Sequence, residues 1–123
     1  MVLQQWSNAP VWGRAPPGQA VTVQLIKNAT VAADVTTTAN SQGDWLALVP
    51  TGNAALGGAL IVKTSSQTIT ITDVAFGEVW LCSGQSNMEL TVPQTDVAAN
   101  FVPTTRLRIF LAPHTQYGST QRF

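Results

Sequence analysis

The stretch Val21-Thr22-Val23-Gln24-Leu25 carries the clearest structural signal in this chain. Apolar side chains at positions 21, 23 and 25 alternate with polar ones at positions 22 and 24. A side-chain period of two is typical of a β-strand that has one buried and one solvated face. The stretch therefore predicts a strand that lines an apolar core.

Similar short strands surround this one at intervals of about 8–12 residues, which is typical of a sandwich or a small barrel. The other predicted strands are residues 10–13, 31–37, 45–49, 60–63 and 68–72. Turns are predicted at residues 14–18, 40–43 and 65–67, because Pro, Gly, Asn and Ser favour them. We therefore predict an all-β fold, an antiparallel β-sandwich, over residues 1–74.

The pattern changes at about residue 75. Val74-Ala75-Phe76 and Val79-Trp80-Leu81-Cys82 are nearly continuous apolar runs, and such runs are typical of strands that a parallel sheet covers on both faces. A short helix is predicted over residues 95–100, followed by a buried strand over 107–111 and a loop over 116–123. Residues 75–123 are thus predicted to open a βαβ unit of an α/β domain.

The composition excludes several classes of function. Six Lys and Arg balance six Asp and Glu, so neither a nucleic acid nor an anionic membrane is an expected partner. A single cysteine excludes an internal disulfide and a thiolate metal cluster. No apolar run approaches the roughly 18 residues of a membrane span. No residue spacing indicates a metal or cofactor.

The segment Gly84-Gln85-Ser86-Asn87-Met88 is the candidate for chemistry. A serine on a sharp turn after a strand can present its hydroxyl as a nucleophile, and the amide of Ser86 or Asn87 can donate to an oxyanion. Gly84 permits a tight turn. Met88 stands where the second glycine of a Gly-x-Ser-x-Gly elbow belongs. On the residues alone, a purely structural turn is the commoner explanation.

The longer string from Phe76 to Met88, Phe-Gly-Glu-Val-Trp-Leu-Cys-Ser-Gly-Gln-Ser-Asn-Met, resembles the nucleophile segment of the sialate O-acetylesterases. These are carbohydrate acetylesterases related to the SGNH hydrolases. The stretches at residues 1–4, 10–13, 17–23 and 43–45 are similar to the accessory β-domain of that family.

The resemblance implies an amino-terminal portion of such an enzyme. Residues 1–74 would be the accessory antiparallel β-sandwich, and residues 75–123 the start of an incomplete, flavodoxin-like SGNH hydrolase domain. Ser86 would be the nucleophile, supported by Gly84, Gln85 and Asn87, with its own N–H in the oxyanion hole. The substrate would be an O-acetylated carbohydrate such as sialic acid, and no cofactor is implied.

The chain lacks the general base that the family pattern contains. The family uses an Asp-x-x-His pair, but the only histidine here is His114, and Leu111 stands three residues before it. We therefore expect a missing downstream hydrolase segment and poor ester hydrolysis by this polypeptide alone. Two alternatives stay open: a non-catalytic β-sandwich module that binds glycan or protein and keeps a vestigial serine turn, and a fragment that folds only with its missing half. The cellular compartment is undecided. The protein would be secreted or lysosomal if an upstream part carries a signal peptide.

The remaining candidates have plainer explanations. Cys82 is predicted to be a small core residue, and His114 an exposed, incidental one. The four tryptophans are expected to anchor the sandwich and its contact with the hydrolase part, with a sugar-stacking platform as the alternative. Arg106 and Arg108 are expected on a solvated strand face. The acidic residues are expected at a strand edge, a turn and a helix cap: Glu78, Glu89 and Asp96.

Overall fold

Seven β-strands dominate the computed structural model of this chain, which describes residues 1–96, 100, 102 and 104–110. The strands are β1 (Val2–Gln4), β2 (Asn8–Arg14), β3 (Ala20–Lys27), β4 (Thr30–Thr38), β5 (Asp44–Pro50), β6 (Ala55–Lys63) and β7 (Thr68–Gly77). The helical elements assigned in the described residues are two single 3₁₀ turns, Ser86–Glu89 and Val92–Gln94. The prediction of a mostly β fold is confirmed.

The strands form two hydrogen-bonded sheets. The larger has five strands in the order β1-β7-β6-β3-β4, and the smaller pairs β2 with β5. All neighbours are antiparallel except β1 and β7, which run parallel with Leu3 opposite Phe76. A purely antiparallel arrangement was predicted. The exception arises because β1 and β7 are the first and last strands, so no tight turn between them dictates their direction.

Residues of both sheets form one apolar core. The alternation at residues 21–25 is confirmed, since Val21, Val23 and Leu25 are fully buried. The smaller sheet contributes every second residue of β5 to the same core, where Trp45, Ala47 and Val49 are buried. The last strand, β7, contributes its residues 74 and 76.

Turn chemistry also matches the sequence. Asn40 Oδ1 accepts hydrogen bonds from the amides of Gln42 and Asp44, both at 2.9 Å. Such a bridge from an Asn side chain to its own backbone is what favours asparagine in turns. The hairpin between β6 and β7 closes at 65–67, with the Thr64 amide 2.8 Å from the Gln67 carbonyl.

The buried hydroxyl of Thr51 fixes β1 at the edge of the larger sheet. Its Oγ1 lies 2.7 Å from the Gln4 carbonyl and 2.9 Å from the Ser7 carbonyl, and it accepts from the Ser7 amide at 3.0 Å. These contacts join the turn between β1 and β2 to the loop that follows β5. Lys27 Nζ also donates to the carbonyl of Thr51 and lies 4.2 Å from the Phe76 ring centroid.

The structure differs from the sequence prediction after β7. Residues 78–85 form no strand, and Leu81 is 95% exposed. The predicted strand at 107–111 is equally absent at 107–110, and residue 111 lies outside the described residues. A strand needs a neighbour to satisfy its backbone groups, and none is paired with these segments in the described part of the chain.

The predicted βαβ unit is therefore not formed in the described residues. Half of the predicted helix at 95–100, residues 97–99, and all of the predicted loop at 116–123 lie outside them. The apolar run at 74–76 belongs to β7 and faces the core of the β fold, and β7 continues to Gly77.

Candidate functional site

The candidate nucleophile opens a single helical turn. Ser86 is the first residue of the 3₁₀ turn Ser86–Glu89, Gln85 precedes it with φ −98° and ψ −148°, and Leu90 follows it in an extended conformation. The turn is closed by a hydrogen bond of 2.8 Å from the Met88 amide to the Gln85 carbonyl, and the Leu90 amide lies 3.4 Å from the Asn87 carbonyl. All five residues of the segment 84–88 are exposed, so the Ser86 hydroxyl is open to solvent.

Gly84 is required by a close approach within the turn. A Cβ built on Gly84 would lie 2.6 Å from Cγ and 3.6 Å from Sδ of Met88. The first of these distances is far below a normal carbon–carbon contact of about 3.5–4.0 Å. The glycine therefore lets the Met88 side chain fold back over the backbone that leads into Ser86.

The amides at the start of the turn are the candidate oxyanion donors. The first N–H groups of any helical turn lack intrahelical acceptors. Within the described residues, no hydrogen bond is made by the N–H of Ser86 or of Asn87. Both donors are thus available next to the serine hydroxyl.

An amide–carboxylate network connects the residues directly after β7, Glu78 and Val79, to the end of β1. Gln5 Nε2 donates to Glu78 Oε1 at 2.6 Å, and Gln4 Nε2 donates to Glu78 Oε2 at 3.1 Å. Gln4 Oε1 in turn accepts from the Val79 amide at 2.8 Å. These hydrogen bonds, first from Gln5 and then from Gln4, lower the pKa of the Glu78 carboxyl. Glu78 was predicted only as an edge-of-strand residue, and the sequence carries no signal for this network beyond the tandem glutamines.

Arg108 differs from its prediction as a solvated strand residue. Its side chain is only 24% exposed and its Nη2 lies 2.7 Å from Oδ1 of Asp73 in β7. Arg106, by contrast, is exposed as predicted. The prediction for Arg108 rested on alternation within a strand, and that strand is not formed.

Cys82 and three tryptophans also differ from their predictions. Cys82 is exposed rather than part of a core, because the run 79–82 has no covering layer in the described residues. Of the tryptophans, Trp45 alone is buried, whereas Trp6, Trp12 and Trp80 are 74%, 69% and 81% exposed. Trp12 lies opposite Leu46 on the outer face of the smaller sheet.

The described residues place no general base beside Ser86. The sole histidine, His114, lies outside them, as do the side chain of Glu89 and residues 97–99.

No group of three His, Cys, Asp or Glu side chains suited to a metal occurs in the described part of the chain. No helix there is long and apolar enough to cross a bilayer. A shallow cavity of about 340 Å³ is lined by residues 54–56, Phe76 and Arg106, away from the serine turn.

The chain is similar to known proteins in sequence and in structure. No family model matches the chain. Sialate O-acetylesterase of Rattus norvegicus is 36% identical over an alignment of 126 residues that covers 94% of this chain and 23% of that protein. Its counterpart in Mus musculus is 39% identical over an alignment of 100 residues that covers 76% of this chain and 18% of that protein.

A solved structure shows the same kind of similarity. A carbohydrate acetylesterase from Xanthomonas citri matches with a TM-score of 0.66 at 30% identity, covering 80% of this chain and 22% of that chain. The chain thus spans about a fifth of the length of the relatives it matches.

Proposed function

Because the chain belongs to the sialate O-acetylesterase family, we propose that it carries the nucleophile segment of an esterase that removes O-acetyl groups from carbohydrates. The observation that supports this most is the exposed Ser86 hydroxyl at the start of a helical turn whose first amides are available. The substrate class follows from the relatives, a sialate O-acetylesterase and a carbohydrate acetylesterase.

Ser86 is the nucleophile of the proposed reaction. Its Oγ attacks the carbonyl carbon of the acetyl ester, and the bond from that carbon to the sugar oxygen breaks. The sugar leaves as an alcohol and takes up the proton that a base removed from Ser86. Water then hydrolyses the acetyl-serine to acetate and regenerates the hydroxyl.

The turn itself supplies the oxyanion donors. In the proposed reaction the amides of Ser86 and Asn87 donate to the carbonyl oxygen of the substrate as it gains negative charge. Gly84 and Gln85 support this geometry, since Gly84 leaves room for Met88 and the Gln85 carbonyl closes the turn. Removing one such donor typically costs about 10²–10³ in turnover.

The base comes from polypeptide beyond these 123 residues. The sequence holds no Asp-x-x-His pair, and His114 is its only histidine. The same downstream polypeptide would complete the fold: residues 79–82 and 107–111 become strands of a flavodoxin-like sheet once neighbouring strands pair with them. The exposure of Leu81, Ile109 and Phe110 supports this, because such apolar side chains are normally covered.

A chimeric enzyme tests the proposal. Residues 1–123 are joined to the part of the Rattus norvegicus relative that follows its matched segment, and acetate release from an O-acetylated sugar is measured. We expect release that is lost in Ser86→Ala and kept in Ser83→Ala, a matched exposed serine of the same segment. Equal release by the Ser86→Ala chimera would contradict the proposed nucleophile.

A second candidate function is a non-catalytic β module that binds glycan or protein. The observation that favours it is the outer face of the smaller sheet, where exposed Trp12 and Leu46 are cross-strand partners next to exposed Leu48. An exposed indole can stack on a sugar ring or on a protein surface. Glycan binding that is lost in Trp12→Ala and unchanged in Ser86→Ala would favour this function.

A further inference from the structure

The guanidinium of Arg108 is held at three points on the β fold. Its Nη2 lies 2.7 Å from Asp73 Oδ1, while Nη1 donates to the Asp73 carbonyl at 2.5 Å and to the Met1 carbonyl at 3.0 Å. The side chain of Arg108 is 24% exposed, against 76% for that of Asp73. A planar guanidinium is suited to such a set of oxygens because its donors diverge in a fixed fork.

The Asp73 groups that bind Arg108 lie at a β-bulge in β7. The pairing of β6 with β7 shifts register between Gly58 and Leu60, whose partners are Val74 and Ile71. One extra residue is thereby accommodated in β7, and Asp73 has a φ of 55°. A positive φ is uncommon for a residue other than glycine, and a bulge turns backbone groups away from the ladder. The bulge thus presents both the carbonyl and the carboxylate of Asp73 to one guanidinium.

This contact lies at the opposite end of the β1–β7 pair from the Glu78 network. Glu78 follows β7 directly and is bound by Gln4 and Gln5 at the end of β1. Asp73 and Glu78 are five residues apart along an extended strand, which is roughly 15 Å. Ser86 therefore lies in the sequence between two points, Glu78 and Arg108, that are both attached to the same sheet edge.

We propose that Arg108 is a positioning residue that fixes the serine-bearing segment on the β1–β7 edge by binding to Asp73 at the bulge. Attachment at both ends restricts the arrangements open to the segment, whereas attachment at Glu78 alone leaves it a free arm. The inference deepens the proposed function, on which its catalytic meaning rests, by giving the accessory β fold a role in placing the nucleophile. The attachment itself is a property of the folded chain and needs no substrate.

Cys82 allows a direct test, because it is the only cysteine of the chain and is exposed four residues before Ser86. A Ser66→Cys substitution in the exposed turn between β6 and β7 provides a second site on the β fold. Nitroxide labels at 66 and 82 then report the distribution of distances between the segment and the fold by pulsed electron paramagnetic resonance. Thermal unfolding of each variant, followed by circular dichroism, monitors the β fold separately.

In this doubly labelled protein, Arg108→Ala is expected to widen the distance distribution about two-fold while the thermal midpoint of the β fold changes little. Arg106→Ala, the matched exposed arginine two residues away, is expected to leave the width unchanged. Asp73→Asn keeps a residue that tolerates positive φ and removes the charge, so an intermediate width is expected. Arg108→Lys keeps the positive charge but lacks the several donors of the guanidinium, so its distance distribution is expected to be narrower than that of Arg108→Ala and wider than that of the parent.

The proposal is overturned if Arg108→Ala gives the parental width, or if Arg106→Ala widens the distribution as much as Arg108→Ala does. If Arg108→Ala fails to fold, Asp73→Asn decides by the same comparison with Arg106→Ala. Because no ester is involved, a failed attachment is distinguishable from a failed esterase: the first changes these distances, and the second shows as absent Ser86-dependent acetate release.

Discussion

The indole of Trp45 lies directly across the α-carbon of Gly13. The two residues are cross-strand partners of β5 and β2, and a Cβ on Gly13 would lie 2.8 Å from Cζ2 and 3.1 Å from Cε2 of the indole. Trp45 is buried in the core that residues of both sheets form. The glycine thus makes room for the one tryptophan that the described core contains, and it does so without a positive φ.

Gly13→Ala is expected to destabilise the β fold. The added methyl group must displace a buried ring, and overpacking of this kind typically costs about 1–3 kcal/mol. Chemical denaturation followed by far-ultraviolet circular dichroism measures the loss. Gly77→Ala is the matched control, since a Cβ there meets no atom within 4 Å. Equal stability of the Gly13→Ala and Gly77→Ala proteins would contradict the role of Gly13.

Thr51→Val is expected to destabilise the fold through lost hydrogen bonds rather than lost volume. The substitution keeps the shape but leaves the Ser7 amide without its acceptor in a partly buried site, whereas the Gln4 carbonyl loses the Thr51 hydroxyl and keeps that of Ser7. An unsatisfied buried group costs about 1–3 kcal/mol. Thr36→Val, at an exposed threonine whose hydroxyl contacts Thr22, is expected to change the unfolding free energy by less than about 0.5 kcal/mol. The same denaturation assay compares the two.

Local periodicity predicted much of this fold because it reports local burial. Positions 21, 23 and 25 are buried as their alternation indicates. The parallel pairing of β1 with β7 was not predictable in that way, since β1 has three residues and pairs with a segment more than 70 positions away. The prediction that Trp12 anchors the core was wrong, because it rested on residue type and not on the position of the residue in its strand. Trp12 lies two residues from Pro10 and two from Arg14 in β2, so all three side chains are on the same, exposed face of the strand.

The candidate site was predictable only as far as one short motif reaches. Gly84 to Met88 predicted a serine turn, and the structure contains one. The attachment of Arg108 depends on a bulge at Asp73, 35 residues earlier, which has no sequence signature. The predicted strands at 79–82 and 107–111 depend on neighbours that the described chain does not provide, and apolar content alone cannot supply the missing hydrogen bonds.

Gln5→Ala is expected to raise the pKa of Glu78 toward its ordinary value. The Gln5 and Gln4 side chains stabilise the charged carboxylate, so the folded-state pKa is lowered. The stabilisation by this network is therefore present above the unfolded pKa of the carboxyl and is lost as the pH falls through the lowered folded value. Carboxyl chemical shifts recorded during an acid titration measure the change. Gln19→Ala, whose amide contacts Ser65 instead, is the control that leaves Glu78 unchanged.

Gly84→Ala is expected to displace the Met88 side chain from the serine turn. The new methyl group would lie 2.6 Å from Met88 Cγ, and a flexible thioether moves more readily than the backbone. The Met88 methyl resonance should shift, while that of Met1, the only other methionine, stays in place. In the chimeric enzyme, Gly84→Ala should lower acetate release, and adding Met88→Ala should restore part of it. An unshifted Met88 methyl signal would show that this contact does not shape the turn.

The 123-residue chain alone is expected to hydrolyse p-nitrophenyl acetate poorly, even though Ser86 is exposed and its turn is formed. Without a base the hydroxyl stays protonated, and general-base assistance typically contributes about 10²–10⁴-fold to such a step. Turnover by the parent should therefore stay close to that of Ser86→Ala, with Ser83→Ala as the matched serine control. Robust turnover that disappears only in Ser86→Ala would mean that the chain itself provides a base. The separate substitution His114→Ala would then show whether its single histidine is that base, because no other imidazole is available in the sequence.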